Sequence, residues 1–171
     1  MNESLIPNVR AYASERQLQI AEPLGSGKDG IVLVGKSTAD PARVAIKAHR
    51  FPELFLREKG VYQRLEKMAV ITVLGFNVPQ LLGTDEDLRV LEMTIVSRPF
   101  VLDFAGAYLD VRPEFPADIW ADWEAEKREQ FEGRWPRVEK VLAAFAEMGI
   151  YLLDVSQIGR ASCRERVCWI V

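Results

Sequence analysis

The polar and apolar positions of the chain change rhythm several times, and each change predicts an element. Leu18 to Leu24 (LQIAEPL) alternates as a half-buried strand does, and runs into the glycine stretch Gly25-Ser26-Gly27-Lys28-Asp29-Gly30. GIVLVGK is a short β-branched run, STADPA with Pro41 is a turn cluster, and RVAIKAH follows as another strand, so these pieces predict hairpins. From Pro52 the period lengthens: Leu54, Phe55, Val61, Tyr62, Leu65 and Met68 recur at helical spacing, with Glu53, Arg57, Glu58 and Lys59 between them. AVITVLGFNVPQLLGTDEDLRVLEMTIV predicts two or three more strands, broken at Gly75, at Pro79 and at the turn Gly83 to Asp87.

The second half reads differently. SRPFVLDFAGAYLDVRPEFP is irregular, with Pro99, Pro113 and Pro116. A charged amphipathic helix follows, showing Ile119, Trp120, Trp123 and Phe131. A cleaner one starts at Pro136, presents Val138, Val141, Leu142, Phe145 and Met148, and stops at Gly149. IYLLDV then reads as a short strand. From Gln157 onward (QIGRASCRERVCWIV) no period survives, and the stretch resembles sequencing-adapter DNA translated in frame. Residues 157–171 are therefore expected to be a non-native tail.

Composition narrows the function classes. The 171 residues allow one domain or two small lobes around a cleft, and 49% apolar with 27% charged residues is ordinary for a globular protein. A net charge of −3 argues against a nucleic-acid partner, which needs a basic face. No run reaches the roughly 20 apolar residues of a membrane span, and MNESLIPNVRAYASERQ lacks a signal-peptide pattern, so the cytoplasm is the expected address. Both cysteines, Cys163 and Cys168, lie in the tail, which leaves no disulfide framework or metal cluster elsewhere.

The stretch Leu24 to Lys47 satisfies three phosphate-binding patterns. Gly30 to Ser37 matches G-x-x-x-x-G-K-[ST], but its variable positions are Ile-Val-Leu-Val and a turn, not a helix, follows. Gly25 to Gly30 matches the dinucleotide fingerprint, yet a strand follows its third glycine where a helix is required. The third pattern, G-x-G-x-x-G-x-V and then V-A-I-K, needs a glycine-rich hairpin and a further strand carrying the lysine. Glycines at 25, 27 and 30 let such a hairpin approach phosphates, Val32 covers the base, and Ala45 and Lys47, two apart, point together into the cleft.

Gly25 to Val32 with Val44-Ala45-Ile46-Lys47 resembles the N-lobe of the protein-kinase-like superfamily, in the manner of bacterial-type serine/threonine protein kinases. The resemblance covers residues 18 to 156. It implies an α+β fold: residues 1–94 form an N-lobe with a five-stranded antiparallel sheet and one helix, and residues 95–156 form the hinge and part of a helical C-lobe. Leu24, Gly25, Ser26, Gly27, Lys28, Asp29, Gly30, Val32, Ala45 and Lys47 would then bind the nucleotide. Backbone groups of Glu92, Met93 and Thr94 would hydrogen-bond adenine. Lys47 would pair with Glu58, Glu53 being the competitor in the first helical turn.

Further along, Asp154 stands where the family carries its catalytic aspartate, which accepts the proton of the attacking hydroxyl. Departures surround it. Leu152 and Leu153 replace the usual histidine and arginine, Ser156 replaces a lysine, and Gly159 stands where an asparagine is expected. The aspartate-phenylalanine-glycine segment is missing, so no Mg²⁺ ligand is assigned. Asp103 and Asp110 read as caps or surface carboxylates, and His49 as surface or packing. The expected activity is ATP- and Mg²⁺-dependent transfer of the γ-phosphoryl group to a hydroxyl on an unknown protein or small molecule, with little or no catalysis by this chain. A small-molecule kinase of the same superfamily, a nucleotide-binding pseudokinase, and a mixed α/β domain without a nucleotide site are the alternatives.

Overall fold

The computed structural model describes residues 3–37, 42–96 and 100–157. The tail other than Gln157, and with it Gly159, lies outside the described residues, as does Pro41. The chain opens with a helix that the strand and glycine patterns did not announce, α1 (Ile6–Glu15), which begins with a proline in its first turn. Val9, Tyr12 and Ala13 face inward at three- and four-residue spacing.

Strands β1 (Leu18–Ser26), β2 (Gly30–Ser37) and β3 (Arg43–His49) follow, then helix α2 (Pro52–Lys67). A two-strand hairpin, β4 (Thr72–Val73) and β5 (Phe76–Asn77), precedes β6 (Leu81–Asp85) and β7 (Val90–Thr94). The main sheet has five strands in the order β1-β2-β3-β7-β6, every neighbour antiparallel. The expected α+β class and the five-stranded antiparallel sheet are therefore present.

After the sheet come β8 (Phe100–Leu102), β9 (Tyr108–Leu109), α3 (Ala117–Phe131), α4 (Trp135–Glu147), β10 (Ile150–Tyr151) and β11 (Val155–Gln157). IYLLDV is not one strand. Its ends pair separately, Ile150 with Leu109 and Val155 with Leu102, and Leu152 to Asp154 cross between them.

The sheet is covered on both faces, and strand periodicity divides the work. Val44, Ile46 and Ala48 of β3 join Ile31 and Val90 under Leu5, Val9, Tyr12 and Ala13. Ala45 of β3 joins Val32, Leu91 and Met93 on the opposite face. There they meet Phe55, Val61, Tyr62 and Leu65 of α2 and, beyond them, Phe104, Trp135, Val141 and Phe145. Each Val, Leu, Ile, Met or Phe side chain so withdrawn from water contributes about 1.5–3 kcal/mol. Lys47 and His49 lie on this second face by the same alternation. Helix α2 is also tied at its far side, where Arg64 donates to the Gly149 carbonyl at 2.9 Å and to Asp110 Oδ2 at 2.7 Å.

Helices α2 and α4 end in the same way. The residue after the cap has a left-handed backbone, Ala69 at φ 53° and Gly149 at φ 71°. In α2 the Ala69 and Val70 N–H groups bond back to the Glu66 and Leu65 carbonyls. Glycine takes this conformation freely, whereas a Cβ costs about 1–2 kcal/mol. Ala69→Gly is thus expected to stabilise the fold by about 0.5–1 kcal/mol after its greater unfolded-state entropy is counted, raising Tm by about 1–4 °C in a thermal melt.

Candidate functional site

Helix α2 turns four large residues inward, Phe55, Glu58, Tyr62 and Leu65, and the second of them is charged. Glu58 is wholly buried. Its Oε2 meets Lys47 Nζ at 2.6 Å and His49 Nε2 at 2.7 Å. The lysine and histidine come from adjacent same-face positions of β3, so a single strand supplies both donors. Glu53, the alternative partner, is exposed one turn earlier.

Burial by itself would push the Glu58 carboxyl up, but the charges and hydrogen bonds of Lys47 and His49 outweigh it and hold the group down at about 2. A carboxylate whose folded value lies below its ordinary 4.5 contributes stability that is complete above that pH and is lost as pH falls toward 2. The stability difference between the native chain and Glu58→Gln is expected to shrink across that window, as read by urea unfolding at stepped pH. A difference constant from pH 5 to pH 2 would contradict the ionised, paired carboxylate.

The glycine hairpin stands at the end of β1 and β2. Gly25 pairs with Val32 and Ser26 with Ile31, and the Gly27 N–H closes the turn on the Gly30 carbonyl at 2.9 Å. Two glycines have different reasons. A Cβ on Gly30 would lie 2.6 Å from the Ala48 carbonyl oxygen, so sheet packing demands its absence. A Cβ on Gly27 would meet nothing within 4 Å, which leaves the loop backbone open to approach. Lys28 and Asp29 are exposed at the tip, and the Asp29 carbonyl accepts the Arg50 N–H at 2.8 Å. Val32 and Ala45 are buried, Leu24 partly so, and all three join Met93 in one apolar group.

Glu92, Met93 and Thr94 form the last part of β7. Strand β7 lies between β3 and β6, so its backbone groups face neighbouring strands; the Thr94 N–H, for instance, bonds the Gln80 carbonyl at 3.0 Å. Backbone outside the sheet begins at Ile95. The Glu92 side chain points to the other face, where Oε2 accepts from Tyr12 at 2.9 Å and from Arg16 at 3.0 Å. The pair pins α1 to the last strand before the connection between the two halves. Burial, then the Glu92 hydrogen bond and charge, push the Tyr12 hydroxyl above its ordinary range.

Asp154 is exposed, at the crossing between β10 and β11, and its carbonyl accepts the Asp103 N–H at 2.9 Å. Asp103 caps its own turn through the Ala105 N–H at 3.0 Å, as a cap should, but it is not a surface carboxylate. Burial raises its pKa; the charges of Glu58 and Asp154 add to that, while Lys47 and the Ala105 N–H oppose it. Asp110 is exposed and paired with Arg64.

His49 and Asp103 are the residues that pattern reading underestimated. The alternation that put Ala45 and Lys47 on one face extends to His49 two positions on, so the signal was present for His49. Asp103 sits in an irregular segment with no period, so the sequence allowed a cap there but gave no sign of its burial. The chain matches no family model, no curated protein and no solved structure. The site's chemistry therefore rests on its own geometry. A buried lysine fixed by a carboxylate, on the strand beside a glycine turn with open backbone, is suited to hold an anion with several oxygens.

Proposed function

We propose that the chain is the nucleotide-binding part of an ATP-dependent phosphotransferase of the protein-kinase-like kind, acting on a hydroxyl of a protein or a small molecule. The observation that carries this reading is the 2.6 Å Lys47–Glu58 pair beside the glycine hairpin. ATP supplies the phosphoryl group. Lys47 offers its ammonium to the phosphate oxygens, Glu58 keeps that ammonium in place, and the open space at Gly27 lets phosphates approach the turn. Asp154, exposed where a substrate could reach it, orients the acceptor hydroxyl and takes its proton.

Among the described residues no three His, Cys, Asp or Glu side chains are grouped to hold a metal, so no step is routed through one. A second reading, nucleotide binding without chemistry, is favoured by Ser156 standing where the family that the chain resembles carries a lysine. Thermal melts with ATP, with and without Mg²⁺, address both. Saturating ATP, about a hundred times its Kd, is expected to add about 2.7 kcal/mol of stability. No shift with either would sink both readings. An equal shift with and without Mg²⁺, together with no transfer of labelled γ-phosphate, would select the second.

A further inference from the structure

His49 is 1% exposed, and its ring is wedged edge-on to Phe55 with centroids 5.8 Å apart. Its Nε2 lies 2.7 Å from Glu58 Oε2, and its Nδ1 faces the Arg89 carbonyl at 3.4 Å. A carboxylate oxygen with an ionised group can only accept, so Nε2 carries the hydrogen. The two donors, Lys47 and His49, converge on one oxygen, while Glu58 Oε1 has no hydrogen-bond partner among the described residues.

That asymmetry matters because the terminal torsion of a glutamate is broad and roughly two-fold. Lys47 alone could follow the carboxylate as it turned. A second donor from a rigid ring, itself fixed by the sheet and by Phe55, removes that freedom. We propose that His49 is a positioning residue: it orients the Glu58 carboxylate and thereby fixes where Lys47 presents its ammonium to phosphate. A histidine that merely filled space would need no donor aimed at Glu58.

The proposal rests on the nucleotide reading, and the test separates the two. ATP and adenosine are titrated into the full chain by calorimetry, and the ratio of the two affinities isolates the contribution of the phosphates. Glutamine places its amide nitrogen about where Nε2 lies, whereas asparagine places it nearer Nδ1. His49→Gln is expected to keep the native ratio within about threefold. His49→Asn is expected to lower it about tenfold, the effect of a lost hydrogen bond to a charged group, with adenosine affinity unchanged. Should His49→Asn fail to fold, His49→Leu, similar in volume to histidine, carries the same prediction. Native ratios in both variants, or equal losses in both, would overturn the role given to Nε2. A native chain that binds ATP no better than adenosine would overturn the nucleotide reading itself, and this proposal with it.

Discussion

Glu58→Ala is expected to destabilise the fold by about 3–5 kcal/mol, the usual cost of leaving a buried charge without its partner. Lys47 and His49 are 8% and 1% exposed, so little water reaches either to replace the lost carboxylate. The methylenes lost from the inner face of α2 add a cavity cost beside Phe55 and Tyr62. Urea denaturation reads the result directly as a lower midpoint with an unchanged slope. Glu58→Gln keeps most of the volume and removes the charge, so it separates the two contributions. A loss below about 1 kcal/mol for Glu58→Ala would mean that the cluster relaxes freely and that its geometry is not imposed by burial.

Lys47→Met has the second large effect, and here it falls on binding. The thioether fills a similar space but offers phosphate nothing. ATP affinity is expected to fall about 10–100-fold, the worth of one hydrogen bond to a charged group, while adenosine affinity is unchanged. Glu58 would then keep only His49 as a donor. Its carboxyl would rise from about 2, because burial favours the neutral form and the larger opposing charge has gone. The stability lost on acidification from pH 4.5 to 2 should accordingly be smaller in the variant than in the native chain. An ATP-to-adenosine ratio that Lys47→Met leaves unaltered would show that the lysine makes no contact with phosphate.

Legibility differed sharply along the chain, for physical reasons. The β1–β2–β3 region could be read because hairpins are local: turn residues, β-branched runs and alternation all lie within about 30 residues of one another. The inward placement of Glu58 was legible only because the helix anchors Val61, Tyr62 and Leu65 set the buried face of α2. Helix α1 carried a weak pattern, since Asn8, Arg10 and Ser14 interleave with its apolar positions, and its attachment depends on Glu92 some 80 residues away. The same distance effect limits what could be read of β7. Alternation identified the strand but could not show that β3 and β6 flank it and occupy its backbone groups. The burial of Asp103 was invisible because its neighbours, Lys47, Glu58 and Asp154, are brought together only by tertiary folding.

The central claim is that the Lys47 ammonium, held on Glu58, is the group that meets nucleotide phosphate. Lysine labelled with ¹⁵N allows that ammonium to be followed by NMR, its signal assigned by its loss in Lys47→Met. Titration with ATP is expected to move the Lys47 signal to a saturating end point, while adenosine at the same occupancy leaves it near its starting position. A Lys47 signal that stays in place as ATP saturates the protein would contradict the account, because the nucleotide would then be held elsewhere.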